Sequence, residues 1–263
     1  MGAGVPLGIG GVIVLLALSW FTGTDFLSLF AGNGQSDTTV ATGPVQSTPQ
    51  EERMVDFVDA VASDTQAAWS EILGPRYEQT RVVLFRDAIQ SACGFAESAT
   101  GPFYCPSDRK VYLDLGFFDE LDQRFGAPGD FAQAYVIAHE FGHHVQNLLG
   151  TSARVERDRR SGATSASVAL ELQADCYAGV WGHTASEGGR FRAGRVELEP
   201  GDADEALRAA ASIGDDRLQK MSTGRVQPER FTHGTSAQRM EWFRRGMESG
   251  DPAQCDTFRQ ITQ

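Results

Sequence analysis

Apolar residues recur at three- and four-residue steps between positions 131 and 148, which is the spacing of one face of an amphipathic helix. They are Phe131, Ala134, Tyr135, Ala138, Phe141, Val145 and Leu148. Gly129 and Asp130, just before this run, are typical of a helix start, and Gly150 is typical of a helix end. The pattern therefore predicts one helix that begins near Asp130 and ends before Gly150.

Other segments carry the same kinds of pattern. Helical spacing or helix-favouring composition covers residues 54–73, 117–125, 165–185, 202–213 and 236–248. The segments TRVVLF (80–85) and KVYLDL (110–115) are β-branched and apolar, as strands are. We therefore expect an α+β fold that is mainly helical and contains a small β-sheet.

The first 24 residues differ from the rest because they contain no charged side chain. Val5 to Phe21 form a run of 17 largely apolar residues, which is just long enough to cross a bilayer. A cleaved signal peptide is the alternative, but the run has neither a basic start nor a clear Ala-x-Ala site. We expect an N-terminal transmembrane helix at 1–24 that attaches the protein to a membrane.

The segment after this run has the composition of a tether. Residues 31–50 are rich in Gly, Ser, Thr, Gln and Pro and contain almost no large apolar side chain. Such a segment cannot bury enough surface to fold, which predicts a flexible linker over 25–50 and a folded domain over 51–263. The net charge of −12, with no basic cluster, argues against a nucleic-acid partner.

Three of the 5 histidines lie close together in the predicted helix, at His139, His143 and His144. His139 and His143 are one turn apart on the same side, where two imidazoles can bind one metal ion. Glu140 lies about 100° around the helix, close to whatever the metal binds. His-Glu-x-x-His is the metalloprotease arrangement of two zinc ligands and a general base. We interpret His144 as a residue that supports the site or simply packs.

A third ligand has to come from another segment, because catalytic zinc usually has three protein ligands and one open position. Only His183 and His233 lie outside the motif, whereas carboxylates are plentiful. Glu171 and Asp175 are four residues apart on one face of a predicted helix. Glu171 could bind zinc while Asp175 accepts the free N–H of a zinc-bound imidazole. A solvated acidic pair is the alternative.

The 4 cysteines contain no Cys-x-x-Cys, which argues against a cysteine zinc site. Cys93 and Cys105 flank a turn-rich loop that a disulfide could close, which leaves Cys176 and Cys255 as a second pair. An even count behind a predicted anchor favours the oxidising side of the membrane. Four unpaired thiols in a cytosolic protein are the alternative.

Several longer motifs resemble known families. The helix motif followed by Glu171-x-x-Ala174-Asp175 resembles the gluzincins, zinc proteases whose third ligand is a glutamate on a second helix. Over about residues 51–260, the chain is similar to the bacterial putative neutral zinc metallopeptidase family. The segments that carry this similarity are QSACGFA, GPFYCP, KVYLDL, FGAPGDFAQAYVIAHEFGHHVQ, SVALELQADCYAG and FTHGTSAQR.

The resemblance implies a zincin-like catalytic domain that binds one Zn²⁺ through His139, His143 and Glu171. It also implies that Glu140 is the catalytic residue and that the substrate is a protein or peptide. In this mechanism Glu140 takes a proton from a zinc-activated water and then delivers it to the leaving amine. Family members commonly carry a basic stretch before the membrane segment, and this chain lacks one.

Further expectations complete the mechanism. A hydrogen-bond donor should stabilise the oxyanion, and His233 is our candidate, with Tyr177 as the reserve. An extended substrate could pair with the edge of the strand at 110–115 or of the strand at 80–85. The apolar N-terminal run predicts a single membrane span, the resemblance implies a bacterial cell, and the cysteines favour an extracytoplasmic catalytic domain.

Two alternative functions remain at this stage. One is a catalytically dormant, zinc-containing binding module, against which an intact Glu140 argues. The other is a metal-dependent amidase that acts on a non-protein substrate such as cell wall.

Overall fold

The computed structural model describes residues 47–97, 101–123, 129–155, 160, 162–186 and 196–261. The expected anchor at 1–24 lies outside these residues, and so does the expected linker except for residues 47–50. Within the described part of the chain, no helix combines the length and the apolar character that crossing a membrane requires.

Helices make up most of the described fold. The α-helices are α1 (Pro49–Leu73), α2 (Phe117–Gln123), α3 (Asp130–Leu148), α4 (Ser152–Val155), α5 (Ala166–Ala185), α6 (Asp202–Ser212), α7 (Asp215–Thr223) and α8 (Ser236–Ser249). Short 3₁₀ helices cover Gly74–Arg76, Pro228–Arg230, Pro252–Gln254 and Thr257–Ile261. Each predicted helix is present, and the mainly helical α+β class is confirmed. The sequence pattern missed α4, which is a single turn, and α7, in which only Asp215 is buried.

Helix α1 begins at Pro49, before the predicted start at residue 54, because a capping box stabilises its first turn. The Thr48 hydroxyl accepts a hydrogen bond from the Glu51 N–H at 3.2 Å, and the Glu51 carboxylate accepts one from the Thr48 N–H at 2.7 Å. Pro49 costs no helical hydrogen bond at this first position. Helical structure therefore extends into the last two residues of the expected linker.

A three-stranded sheet lies beside the helices. Its strands are β1 (Arg81–Phe85), β4 (Phe103–Cys105) and β5 (Lys110–Asp114), in the order β1-β5-β4. Arg81 is opposite Lys110 in the parallel β1–β5 pair, and Phe103 is opposite Tyr112 in the antiparallel β4–β5 pair. Because β5 is paired on both sides, it has no free edge to offer a substrate. The suggestion that 110–115 forms such an edge is therefore wrong, and the outer strands of this sheet are β1 and β4.

A hairpin that the sequence pattern did not predict is attached to the outer strand β4. It consists of β2 (Ala88–Ser91) and β3 (Gly94–Glu97), which pair antiparallel. Cys93 lies in the hairpin turn and forms a disulfide with Cys105 at the end of β4. The predicted Cys93–Cys105 bond is thus confirmed, and it joins the hairpin to the sheet.

Helix α5 is the centre of the helical part. Of its 20 residues, 15 are buried, as expected for a helix that other elements surround. Helix α8 lies so close that a Cβ atom on Gly246 would overlap the carbonyl oxygen of Cys176. Cys176 also forms a disulfide with Cys255, beyond the end of α8, which confirms the second predicted pair. These contacts fix the C-terminal segment against α5.

Candidate metal centre

The structure brings His139, His143 and Glu171 together from helices α3 and α5. One potential ligand atom from each residue lies within 4.8 Å of the other two. The Nε2 atom of His139 is 3.3 Å from Glu171 Oε2, and the Nε2 atom of His143 is 3.5 Å from Glu171 Oε1. Two nitrogens and one carboxylate thus converge on a single point, which is the donor set of a catalytic zinc site with an open fourth position.

Close packing of the two helices makes this convergence possible. Gly142 lies between the two histidines on α3 and faces Ala174 of α5. A Cβ atom on Gly142 would be 3.0 Å from the Ala174 carbonyl oxygen and 3.1 Å from its Cα atom. A larger residue would therefore separate the helices. Ser165 fixes the start of α5, because its side chain accepts a hydrogen bond from the Val168 N–H.

Asp175 contacts the first imidazole, as its spacing from Glu171 predicted. Its Oδ1 atom is 2.9 Å from Nδ1 of His139, and Asp175 is fully buried. A carboxylate can only accept there, so Nδ1 carries a proton, and Nε2, on the Glu171 side, is the atom left to bind a metal. Tyr135 donates its hydroxyl to the same Oδ1 at 2.5 Å, and Arg239 donates to both carboxylate oxygens at 2.9 Å.

Opposing effects set the ionisation of this buried cluster. Burial alone lowers the pKa of His139, but the charge of Asp175 and the hydrogen bonds that Asp175 and Glu171 accept from the ring raise it to about 9. Burial also lowers the pKa of His143, but the charge of Glu171 outweighs burial and raises it. For Glu171 itself, burial raises the pKa, yet the two imidazoles hold it well below its usual range. The cluster therefore keeps its carboxylate ionised and attracts positive charge.

The charges of the donor set fit a divalent cation. The three carboxylates of Glu140, Glu171 and Asp175 are partly balanced by the single guanidinium of Arg239, which is 2% exposed. With both imidazoles neutral, two negative charges remain, and Zn²⁺ would neutralise them. The residues present therefore fit the metal that the motif predicts.

Glu140 occupies the position expected of a base beside the ligands. It is on α3 next to His139 and is 7% exposed. None of the described residues forms a hydrogen bond with its carboxylate, so its oxygens are available to another molecule. Its charge contributes to the raised pKa of His143.

His144 packs on the side of α3 away from the ligands. Its Nε2 atom is 2.6 Å from the Glu78 carbonyl oxygen and its Nδ1 atom is 3.1 Å from the Tyr104 hydroxyl. Burial lowers its pKa, which favours a neutral ring. Of the two roles considered for His144, the packing role agrees with these contacts.

His233 lies in the loop before α8, and Asp215 organises this loop. One Asp215 oxygen accepts the N–H groups of Thr232, His233 and Gly234 at 2.6–3.0 Å, and the other is 3.4 Å from Nδ1 of His233. The His233 side chain is 49% exposed. The hydrogen bond that Asp215 accepts from the ring raises the pKa of His233 against the effect of partial burial, and the charge of Glu171 adds to the rise. His233 is therefore electrostatically coupled to the ligand cluster.

Tyr177, the reserve candidate, lies in a different environment. It is 4% exposed, and its ring packs edge to face on Trp69 at 5.2 Å between centroids. Two residues along α5 from Asp175, it projects about 200° away from that side chain. Its contacts assign it to the hydrophobic core.

Three residues of this cluster were missed by the sequence reasoning. Tyr135 and Gln146 lie on the metal-binding helix itself, at one turn before His139 and three residues after His143. Their spacing from the motif was a usable signal. Arg239 is 64 positions from Asp175 in the chain, and no local pattern connects the two.

This donor set and its supporting contacts define a zinc-peptidase type of site. The chain belongs to the family described as "Putative neutral zinc metallopeptidase", whose sequence model matches residues 1–258. This confirms the resemblance drawn from the motifs.

Relatives of the chain occur in Escherichia coli and in Mycobacterium tuberculosis. The chain is 46% identical over 268 aligned positions to "Uncharacterized protein YpfJ" of Escherichia coli (strain K12), covering 97% of this chain and 88% of that protein. It is 47% identical over 205 positions to "Uncharacterized protein Rv2575" of Mycobacterium tuberculosis (strain H37Rv), covering 76% of this chain and 69% of that protein. No solved structure matches the chain.

Proposed function

We propose that this protein is a zinc-dependent peptidase that hydrolyses peptide bonds. The observation that carries the proposal is the convergence of His139, His143 and Glu171 within 4.8 Å, beside a buried and available Glu140. Membership of a zinc metallopeptidase family supports the same activity. Zinc bound at these residues would supply Lewis-acid chemistry, polarising the scissile carbonyl and lowering the pKa of a water.

Glu140 is the proposed general base and general acid. Its carboxylate takes a proton from the attacking water and returns it to the leaving amine, so that it ends each cycle ionised. Asp175 keeps His139 in the tautomer whose Nε2 lone pair faces the metal position. These two carboxylates therefore have different tasks, one in proton transfer and one in orientation.

His233 is the proposed donor to the oxyanion. Nδ1 of His233 faces Thr232 Oγ1 at 2.8 Å and Asp215 Oδ1 at 3.4 Å. With Nδ1–H donated to these acceptors, only the protonated ring also carries a proton on Nε2 to donate. The raised pKa of His233 favours this form, and its half-exposed side chain is accessible to a substrate. Protonated His233 would thus place a positive charge next to the negative charge that develops on the carbonyl oxygen of the substrate.

The deciding experiment uses the full chain with two substitutions. Glu171→Ala should lower zinc content sharply, whereas Glu140→Gln should retain zinc and lose cleavage of a proteome-derived peptide library. Glu248→Gln, an exposed carboxylate on α8, is the matched control. Equal zinc loss in Glu171→Ala and Glu140→Gln would reject the division of roles. A zinc-loaded wild type that cleaves no peptide would reject the peptidase, and cleavage that persists in excess chelator would reject its dependence on zinc.

We also propose a single-pass membrane anchor at 1–24 with the catalytic domain outside the cytoplasm. The apolar run Val5 to Phe21 supports the anchor, and the two disulfides support an oxidising compartment. Membrane fractionation and protease accessibility of intact cells test this arrangement. Four free thiols in protein isolated under thiol trapping would contradict the compartment.

A further inference from the structure

Gln146 contacts the second imidazole of the site in a way that allows only one orientation of its amide. It is fully buried, and its Oε1 atom is 2.9 Å from Nδ1 of His143. Its Nε2 atom donates to the Leu170 carbonyl oxygen at 2.7 Å and lies 3.2 Å from Oε1 of Gln173. Both of these partners are acceptors, so the amide nitrogen faces them and the amide oxygen faces His143.

This orientation fixes the tautomer of His143. Because Gln146 Oε1 can only accept, Nδ1 of His143 carries a proton, and Nε2, on the Glu171 side, is the atom left to bind a metal. The next residue, His144, shows the opposite arrangement, since its Nε2 atom faces the Glu78 carbonyl oxygen. Two adjacent imidazoles are thus held in opposite tautomers by their acceptors, and only the one beside Gln146 is prepared to bind metal through Nε2.

The same amide also links the two helices that carry the ligands. Leu170 directly precedes Glu171, so the Gln146–Leu170 bond ties α3 to α5 beside the third ligand. Gln173 is held in turn, because its Nε2 atom donates to the Cys255 carbonyl oxygen at 2.8 Å. This chain of amides runs from the imidazole to the disulfide-bonded C-terminal segment.

We infer that Gln146 is a positioning residue for the metal centre, which selects the metal-binding tautomer of His143 and fixes α3 against Glu171. The inference rests on the proposed zinc function. It also explains why the two imidazoles have different partners. Asp175 brings a negative charge that Arg239 neutralises, whereas Gln146 orients His143 without adding a charge to a buried site.

The test measures zinc release from the full-length protein into excess chelator, followed with a zinc indicator well below each unfolding temperature. Gln146→Met should release zinc about 10- to 100-fold faster, the range usual for loss of such a partner. Gln146→Glu keeps an acceptor for His143 but repels the Leu170 carbonyl, so it should lower the unfolding temperature with much less effect on release. Gln133→Met, the same exchange six residues before His139 on α3, is the control.

The outcomes separate this inference from the proposed function. If zinc release depends only on stability, Gln146→Glu should release zinc at least as fast as Gln146→Met. In that case Gln146 is merely structural and the inference fails. Gln173→Met leaves the His143 contact in place and should speed release less. Should Gln146→Met not fold, zinc release from Gln146→Glu about 10-fold or more faster than from the wild type overturns the inference. If the wild-type protein does not bind zinc stoichiometrically, the proposed function fails and the inference fails with it.

Discussion

Arg239 donates hydrogen bonds from Nε and Nη2 to the two carboxylate oxygens of Asp175, each at 2.9 Å, with both side chains buried. This bidentate pair fixes the plane of the carboxylate, and the carboxylate in turn orients His139. Burial raises the pKa of Asp175, yet Arg239 and His139 together hold it below its usual range. The guanidinium therefore supports the metal centre without touching the metal position.

Replacing Arg239 by lysine should separate charge from geometry. Lysine keeps the positive charge but cannot donate to both oxygens in the fixed fork of a guanidinium. We expect Arg239→Lys to weaken zinc binding by about 10- to 100-fold, measured by chelator competition. Arg244→Lys, an exposed arginine on the same helix, should bind zinc as the wild type does. Unchanged affinity in Arg239→Lys would show that charge alone suffices.

Asp175→Asn tests the other half of the pair. An amide nitrogen cannot accept a hydrogen bond, so one of the two oxygen positions loses its partners. Arg239 is also left buried without its counter-charge, so stability should fall by about 3–5 kcal/mol. Zinc affinity or activity should fall about 10- to 100-fold. Urea unfolding and chelator competition measure the two effects, and a silent substitution would reduce Asp175 to an ordinary helix carboxylate.

Gly142→Ala tests the close approach of α3 and α5. Alanine favours helix by about 1 kcal/mol over glycine, but its Cβ atom would press on Ala174 at 3.0 Å. Because the helices would separate, we expect zinc affinity to drop by about tenfold, equivalent to about 1.4 kcal/mol. Gly182→Ala is the control, since its nearest neighbour is the flexible Met247 side chain. Equal affinity in the two variants would contradict the packing argument.

The proposed role of His233 predicts the alkaline limb of the pH profile. Activity should depend on protonated His233, whose pKa Asp215 raises above its ordinary value, so activity should fall as pH rises through that pKa. Asp215→Asn removes the charge and should move the alkaline limb of kcat/KM to lower pH. Asp216→Asn, a neighbour that caps α8 through Ser236, should leave the limb in place. An identical limb in both variants would exclude this role.

Loss of the Cys176–Cys255 bond should affect stability and zinc together. The bond closes a separation of 79 residues, for which the chain-entropy model gives about 4 kcal/mol. The Cys176→Ser/Cys255→Ser double variant should unfold at lower temperature and release zinc faster, because the Cys255 carbonyl anchors Gln173. Removing the Cys93–Cys105 bond should lower stability without changing zinc release. If the variants lacking the Cys176–Cys255 bond and the Cys93–Cys105 bond release zinc at the same rate, the Cys176–Cys255 bond does not support the metal centre.

Local patterns account for the parts of the fold that the sequence predicted. The helix at 165–185 was placed to within one residue because Ser165 and the apolar run are adjacent in the chain. The four-residue spacing of Glu171 and Asp175 suggested a contact between Asp175 and one of the imidazoles, with a solvated pair as the alternative, and the contact is with His139. The contact of Arg239 with Asp175 could not be predicted, because it requires α8 to pack against α5 through glycines that are far apart in the sequence. Strand β4, with three residues, is too short to show alternation.

The Cys176–Cys255 bond also makes the segment between them a closed covalent ring. His233, Arg239 and Asp215 lie inside the ring, whereas the three proposed zinc ligands lie outside it, on the N-terminal side of Cys176. A single peptide-bond cut anywhere in the ring, including one the protein makes in another copy of itself, leaves one covalently connected molecule. Self-processing at such a position would therefore be invisible on a non-reducing gel and would appear as two fragments only after reduction.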